Sequence, residues 1–348
     1  MTDFRVQTAR NAEVAPLLKT LEGYGAPAHC LAAPEWLPVL AKAYGVETVF
    51  FHLLEADGRR ISGQLPAYYG KRGKALYGLR YGLRARNAQQ AEALLASAEA
   101  FARANGLAKI DLGLEANLAL PQADVTTAAT FSFDLSGCRG ENDLWPLLSQ
   151  SGRRALRTAL RSGQSPRGGW AHFDAAYRLY REAMAPKGVM VHSEAFLRAI
   201  AEGFPDSFVP LVCYEDETPV ASAFLLLGER VGAYLYGGTT ARGSDLRSAT
   251  LLYFTMMKLC QERGLACFEA GESAQGSGTF EFKRRLGGRQ TGICYLRKAV
   301  GGQAGFGSAA ARQISLLTAR LARAAAKGPL SALPPRGGGQ NIIARRII

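Results

Sequence analysis

No apolar run in this 348-residue sequence approaches the ~20 residues needed to span a bilayer, and no charged segment followed by an apolar stretch opens it. Its closest approach, VPLVCY and then VASAFLLL, is broken by EDETP. Histidine is scarce, and His29, His52, His172 and His192 never fall at metal-ligand spacing. Six cysteines are scattered without a C-x-x-C pair, so the sequence predicts no metal site and no structural disulfide, only buried thiols. These absences point to a cytoplasmic globular protein. A hydrophobic content of 48% with 9% aromatic residues is enough to fill two domain cores.

Acidic residues are missing from two places. Between Leu144 and Ala171 there are five arginines and no acid, and from Val300 to the end there are seven basic residues, again with no acid. These segments hold twelve of the thirteen net positive charges, so the sequence has two local sites for polyanions rather than a generally basic surface.

The sequence also repeats itself, at an offset of 158 to 160 residues. ETVFFHLLEADGRRISGQLPAYYGKRGKALYGLRYG and SFVPLVCYEDETPVASAFLLLGERVGAYLYGGTTARG both read as a three-stranded meander, with Tyr77 opposite Tyr236 and Asp57 opposite Asp216. A long helix follows each and ends at Gly106 or Gly264, both read as C-caps. Next comes a strand, with Asp111 opposite Glu269. Upstream, amphipathic helices align Trp36 with Phe196. Each half is therefore helix, meander, helix and strand, an α/β layer design. Between them, LWPLLSQSGRRALRTALRSG reads as a helix ending at Gly163, with SPRGGW as a loop. Arg153, Arg157 and Arg161 share one face of that helix beside Arg154, with Leu156 and Leu160 turned inward. The partition is 1–143, a basic linker helix over 144–169, 170–300, and a basic tail over 301–348 with one helix near 308–327.

The stretch FEAGESAQGSGTFEFKRRLGG, from Phe268 to Gly288, concentrates the chemistry. It reads as a short strand, a glycine-rich loop and a Phe282-Lys283 pair opening a basic turn. An acid at a strand end, accessible backbone amides and a cation suit acyl transfer, in which an amine loses a proton while a carbonyl oxygen gains charge. A strand, a surface loop and a solvated basic run explain the same letters.

Together with RRALRTALRSG, MAPKGVMVHSEAF and YLYGG, this stretch resembles the FemAB-like branch of the GNAT acyltransferase superfamily, and within it the FemAB-related proteins associated with exosortase and exopolysaccharide systems. The resemblance runs from about Glu35 to Tyr295. It implies an α/β fold of two tandem GNAT-like (acyl-CoA N-acyltransferase) domains with mixed sheets. It also implies transfer of an aminoacyl or acyl group onto an amine of a cell-envelope or polysaccharide-related acceptor. Catalytic roles fall to Lys283, at the tetrahedral intermediate, to Phe282, packing beside it, and to Glu269, as general base. Substrate binding falls to Arg153, Arg154, Arg157, His192, Tyr236 and Ser273, and phosphate of the donor to Arg242 and Arg247 at a helix N-terminus.

No tightly bound cofactor is implied; the donor is aminoacyl-tRNA or acyl-CoA, and the partners are a phosphate-bearing donor or acceptor, tRNA, and an anionic membrane surface under the tail. The family's strand motif commonly has aspartate where Glu269 stands, and often a base where Glu272 stands. No long helical hairpin is inserted, which sets the tRNA donor apart from the rest of the resemblance. Two alternatives stay open, an acyl-CoA dependent N-acetyltransferase and a catalytically silent, membrane-peripheral component of an envelope assembly.

Overall fold

A computed structural model describes residues 6–20, 29–55, 58, 60–114, 123–188 and 191–300. Its first part contains β1 (Gln7–Arg10), α1 (Val14–Thr20), α2 (Trp36–Tyr44), β2 (Glu47–Leu54), β3 (Ile61–Tyr69), β4 (Ala75–Gly78), β5 (Arg84–Ala85), α3 (Ala88–Ala104), β6 (Lys109–Gly113) and β7 (Ala123–Asp134). There follow α4 (Glu141–Leu144), α5 (Gln150–Arg161), β8 (Ser165–Gly168), α6 (Phe173–Met184) and α7 (Glu194–Gly203). The second meander is β9 (Phe208–Glu215), β10 (Thr218–Leu227) and β11 (Val231–Thr239), and then come α8 (Ala241–Asp245), α9 (Ser248–Glu262), β12 (Cys267–Glu269), β13 (Ser273–Ala274), α10 (Gly278–Leu286) and β14 (Arg289–Ala299).

The duplication read from the sequence is present element for element. The long helices α3 and α9 end where expected because Gly106 and Gly264 take the left-handed conformation, at φ +66° and +71°. The matched helices α2 and α7 pack on one another. Trp36 lies between Phe196 and Phe204, with ring centroids 6.3 and 5.1 Å away. This contact is the centre of a core shared by both halves, flanked by a separate core in each.

The strands form one mixed sheet in the order β1-β2-β3-β4-β6-β14-β7-β12-β11-β10-β9-β8. The two halves exchange a strand each: β7, from the first half of the sequence, pairs with β12, while β14, from the second, pairs with β6. The pairing of β14 with β7 closes the seam. Among the described residues the parallel strand pairs are β4 with β6 and β11 with β12. β11 pairs with β12 only over Val231 to Ala233 and then runs on to Thr239 paired with β10 on its other side, so β11 and β12 diverge. A bulge in β11, at the register shift opposite Phe224 and Leu225, increases the bend there.

In the first half the corresponding divergence is filled by its own chain. After β4 the backbone turns through Leu79 to Gly82 and lies across β6, where a Cβ on Gly113 would meet Arg80 Cα at 2.8 Å. Within that turn Tyr81 is left-handed, at φ +58°, a conformation costly for a non-glycine residue and kept only where the surroundings enforce it.

Three local expectations are corrected. The helix before Gly163 covers only 150–161, because Ser149 caps it by accepting from the Gly152 amide at 3.0 Å. SPRGGW is not a loop: Ser165–Gly168 pairs with β9 as the edge strand. Phe282 and Lys283 do not open a turn but sit inside α10, which Ser277 caps and Gly287 ends at φ +118°. The tail and the helix expected near 308–327 lie outside the described residues, as does Asp57.

Candidate active site

Glu269 is the last residue of β12, at the point where β11 and β12 separate, and it is 4% exposed. Ser132 of the exchanged strand β7 is its register partner. Three residues of the first half reach it. His29 Nε2 lies 2.8 Å from Glu269 Oε2, and the Tyr81 hydroxyl donates to the same oxygen at 2.9 Å. Arg80 Nη1 is 3.8 Å from Oε1, while its Nη2 pairs with Glu272 at 2.7 Å. The Tyr295 hydroxyl donates to Glu272 at 3.1 Å.

The tautomer of His29 follows from its other nitrogen. The Leu31 amide donates to Nδ1 at 3.2 Å, so Nδ1 carries no proton and Nε2–H donates to the carboxylate. Burial alone would raise the Glu269 carboxyl, but His29, Arg80 and the Tyr81 hydroxyl outweigh it and hold the group below its ordinary range. Burial likewise opposes charge on Arg80, and Glu272 and Glu269 overcome it, so the guanidinium stays charged.

Lys283 enters the same region from α10. Its side chain is 1% exposed; Nζ donates to the carbonyls of Gly271 at 2.8 Å and Glu272 at 3.2 Å and lies 5.6 Å from the centre of the Tyr234 ring. Burial brings its pKa down to about 7; Glu269 raises it and Arg80 lowers it further. Gly271 must be glycine. At φ +78° a Cβ would meet Tyr234 at 3.0 Å, and the close turn aims its carbonyl at Lys283. Phe282 packs edge-on against Tyr253 at 5.2 Å, and the Tyr253 hydroxyl donates to Ala270 O at 3.3 Å. Phe282 thus anchors α10 beside the loop that holds Lys283.

The other expected site residues are more dispersed. Ser273, in β13, is buried, and its hydroxyl has no hydrogen-bond partner among the described residues. His192 is buried between Phe196 and Tyr236, its ring centroid 4.7 and 4.6 Å from theirs; burial pushes its pKa down to about 3. Its Nδ1 shares a 2.6 Å hydrogen bond with the Tyr44 hydroxyl of α2, a link between the two halves. Tyr44→Phe would strand this buried nitrogen and is expected to cost about 1–3 kcal/mol, read as a lowered denaturant midpoint at unchanged slope.

On α5, Arg153 is half-buried and donates to Leu148 O at 2.5 Å, Arg154 is exposed, and Arg157 lies over the Trp145 ring at 5.7 Å. Leu160 is not turned inward but is 51% exposed, because α5 contacts its neighbours α9 and α10 through Gly152, Leu156 and Ala159. Arg242 is bound by Glu215 through a two-pronged pair, and Arg247 is the left-handed residue just ahead of α9. The first turn of α9 is occupied by its own chain, since Ser248 is fully buried and donates to Gln164.

Sequence reasoning selected Glu269, Phe282 and Lys283 and missed His29, Arg80 and Tyr81. The one available signal was YGLRYG, an arginine and a tyrosine inside a glycine-bounded turn after a strand. Among the described residues no cluster of histidine, cysteine, aspartate or glutamate could hold a metal, and no helix is long and apolar enough to cross a membrane.

Residues 150–284 match the family model described as acetyltransferase (GNAT) domain. That span contains Glu269 and Lys283 but none of the first-half residues that contact Glu269. No curated protein matches the sequence. Among solved structures the chain is similar to FemX, with 12% identity and a TM-score of 0.63 over 83% of this chain and 96% of that one. It is similar as well to L-PGS from Bacillus licheniformis, with 15% identity and a TM-score of 0.57 over 88% and 96%. A third is the C-terminal domain of a protein provisionally assigned as a lysylphosphatidylglycerol synthetase from Agrobacterium fabrum, with 14% identity and a TM-score of 0.52 over 83% and 92%. The single mixed sheet, continuous where separate sheets were expected because β7 and β14 are exchanged, the paired divergences and these likenesses define the fold: α/β, with GNAT-like units in tandem, the second carrying the acetyltransferase-type match.

Proposed function

We propose that the protein is a FemAB-like N-acyltransferase, moving an aminoacyl or acyl group onto an amine of a cell-envelope or polysaccharide-related acceptor. The observation that carries this reading is a buried carboxylate, held by His29, Tyr81 and Arg80, and a buried lysine, held by the Gly271 and Glu272 carbonyls, where β11 and β12 part; burial brings the lysine's pKa down to about 7. Glu269 Oε1 is buried and accepts no hydrogen bond among the described residues, which leaves an acceptor for the N–H of an incoming amine. Because its pKa is depressed, Glu269 is a weak store for a proton. Its role is to orient the amine and to balance the positive charge that grows on nitrogen, rather than to hold the proton as a free base.

Lys283 supplies the other half. Two of its N–H groups are taken by the Gly271 and Glu272 carbonyls; the ammonium form has a third, and the neutral form a lone pair, for the reacting group. As the amine nitrogen bonds to the carbonyl carbon, the ammonium stabilises the oxyanion. As the bond from carbon to the donor's oxygen or sulfur breaks, Lys283 protonates that leaving atom and then regains the proton lost by the new amide nitrogen. The net movement is one proton from amine to leaving group, and a pKa of about 7 suits both steps.

Arg153, Arg154 and Arg157 would bind phosphate of the donor or acceptor, with His192, Tyr236 and Ser273 along the acceptor path. Within the same chemistry, the acetyltransferase-type match over 150–284 favours acyl-CoA as donor; Arg242 and Arg247 would meet its phosphates at the surface ahead of α9, and Arg242 must leave Glu215 to do so. The test is transfer of label from acetyl-CoA and from aminoacyl-tRNA to a panel of amines, with a melting shift measured for each donor. An amide product that disappears in Lys283→Ala is expected. Turnover equal to wild type in that variant would remove the reading, and a melting shift with coenzyme A but none with aminoacyl-tRNA would move the donor to acyl-CoA.

A further inference from the structure

Glu269 lies on β12, yet among the described residues every side chain that donates a hydrogen bond to its carboxylate comes from the first half of the chain. Oε2 receives both the Nε2–H of His29 and the Tyr81 hydroxyl. The two donors are fixed independently. His29 is held by the Leu31 amide on Nδ1, and its ring packs against Tyr81 with centroids 4.4 Å apart. Tyr81 is held in its left-handed conformation by the turn lying across β6. Such strain, maintained by surrounding packing, orients the hydroxyl at the one place where the first half closes its own strand opening.

We propose that His29 and Tyr81 are positioning residues of the acyl transfer: they saturate one carboxylate oxygen of Glu269, so that Oε1 alone faces the amine. This rests on the functional reading above and extends it by giving the first half a part in amine selection. Without the two donors the carboxylate could rotate, share both oxygens with Arg80 and Glu272's surroundings, and take up a proton more readily.

The experiment has two readouts, so that this inference and the functional reading can fail separately. In protein carrying glutamate labelled with 13C at the side-chain carboxyl, with Glu269→Gln to assign the signal, Glu269 is expected to titrate below the ordinary carboxylate range. In Tyr81→Phe and in His29→Ala the titration is expected to move up by one pH unit or more. His29→Gln, which returns an N–H near the position of Nε2, is expected to hold it low. In the transfer assay, Tyr81→Phe and His29→Ala should lower kcat/KM for the amine roughly 10- to 100-fold, leave KM for the acyl donor unchanged, and bring an acidic limb into the pH profile. His29→Gln should recover most of the rate. An unmoved Glu269 titration, or His29→Gln behaving like His29→Ala, would overturn the proposal whether or not transfer is detected. Absence of transfer together with the shifted titration would instead count against the functional reading alone.

Discussion

Arg80→Met is expected to destabilise the protein by about 3–5 kcal/mol, because it removes the cation between two largely buried carboxylates. For a chain of 348 residues that corresponds to a melting temperature lower by roughly 4–7 °C. The loss should depend on pH in a defined sense. The Glu269 carboxyl is held below its ordinary value of 4.5 in the folded state, so it contributes stability that is present above 4.5 and lost as pH falls through the folded value. Removing Arg80 raises that folded value and shrinks the contribution. The gap between wild type and variant should therefore be widest above pH 5 and narrow in more acidic solution. A double-mutant cycle with Glu272→Gln separates the pair from general packing: the double variant should be less damaged than the sum of the singles, since each single leaves one buried charge unmatched. Strict additivity would mean that the 2.7 Å pair is not coupled.

What the sequence revealed and what it concealed follow from the range of the interactions involved. The repeated helix, meander, helix and strand were legible because hydrophobic alternation and terminal glycines act over a few residues, as the left-handed Gly106 and Gly264 show. The exchange of β7 and β14 was not, since a period of two specifies which face of a strand is buried but not which strand lies beside it. Glu269 and Lys283 could be singled out because a strand end, a glycine-rich loop and a Phe-Lys pair lie within one short segment. His29 is 240 residues from Glu269 and Tyr81 is 188, and neither carries a local pattern that marks it. Leu160 was misplaced for a related reason: helical spacing put it beside Leu156, but α5 meets its neighbours along a narrow face centred on Gly152, Leu156 and Ala159.

Lys283→Met is expected to remove activity and, at neutral pH, to relieve the fold. The loss should be of order 10²- to 10³-fold in kcat, the size found when one donor to a developing oxyanion is deleted. Stability should respond in the opposite direction at pH 7. In the unfolded chain lysine titrates near 10.5, in the folded protein Lys283 titrates near 7, and between these values the unfolded state binds more protons. Wild-type stability should therefore climb as pH rises from about 7 to 10.5, by an amount on the order of 4 kcal/mol, whereas the variant should not share this climb. Methionine also forfeits the hydrogen bonds to the Gly271 and Glu272 carbonyls, worth about 1 kcal/mol each. The two effects oppose one another, so the stability curves should cross: Lys283→Met at least as stable as wild type at pH 7, and less stable near pH 10.5. A lysine whose folded pKa stayed near 10.5 would show a deficit in the variant that does not change with pH. A crossing would establish that the buried Lys283 titrates near neutrality at a cost to the fold, and the accompanying loss of kcat would tie that proton to the transfer from amine to leaving group.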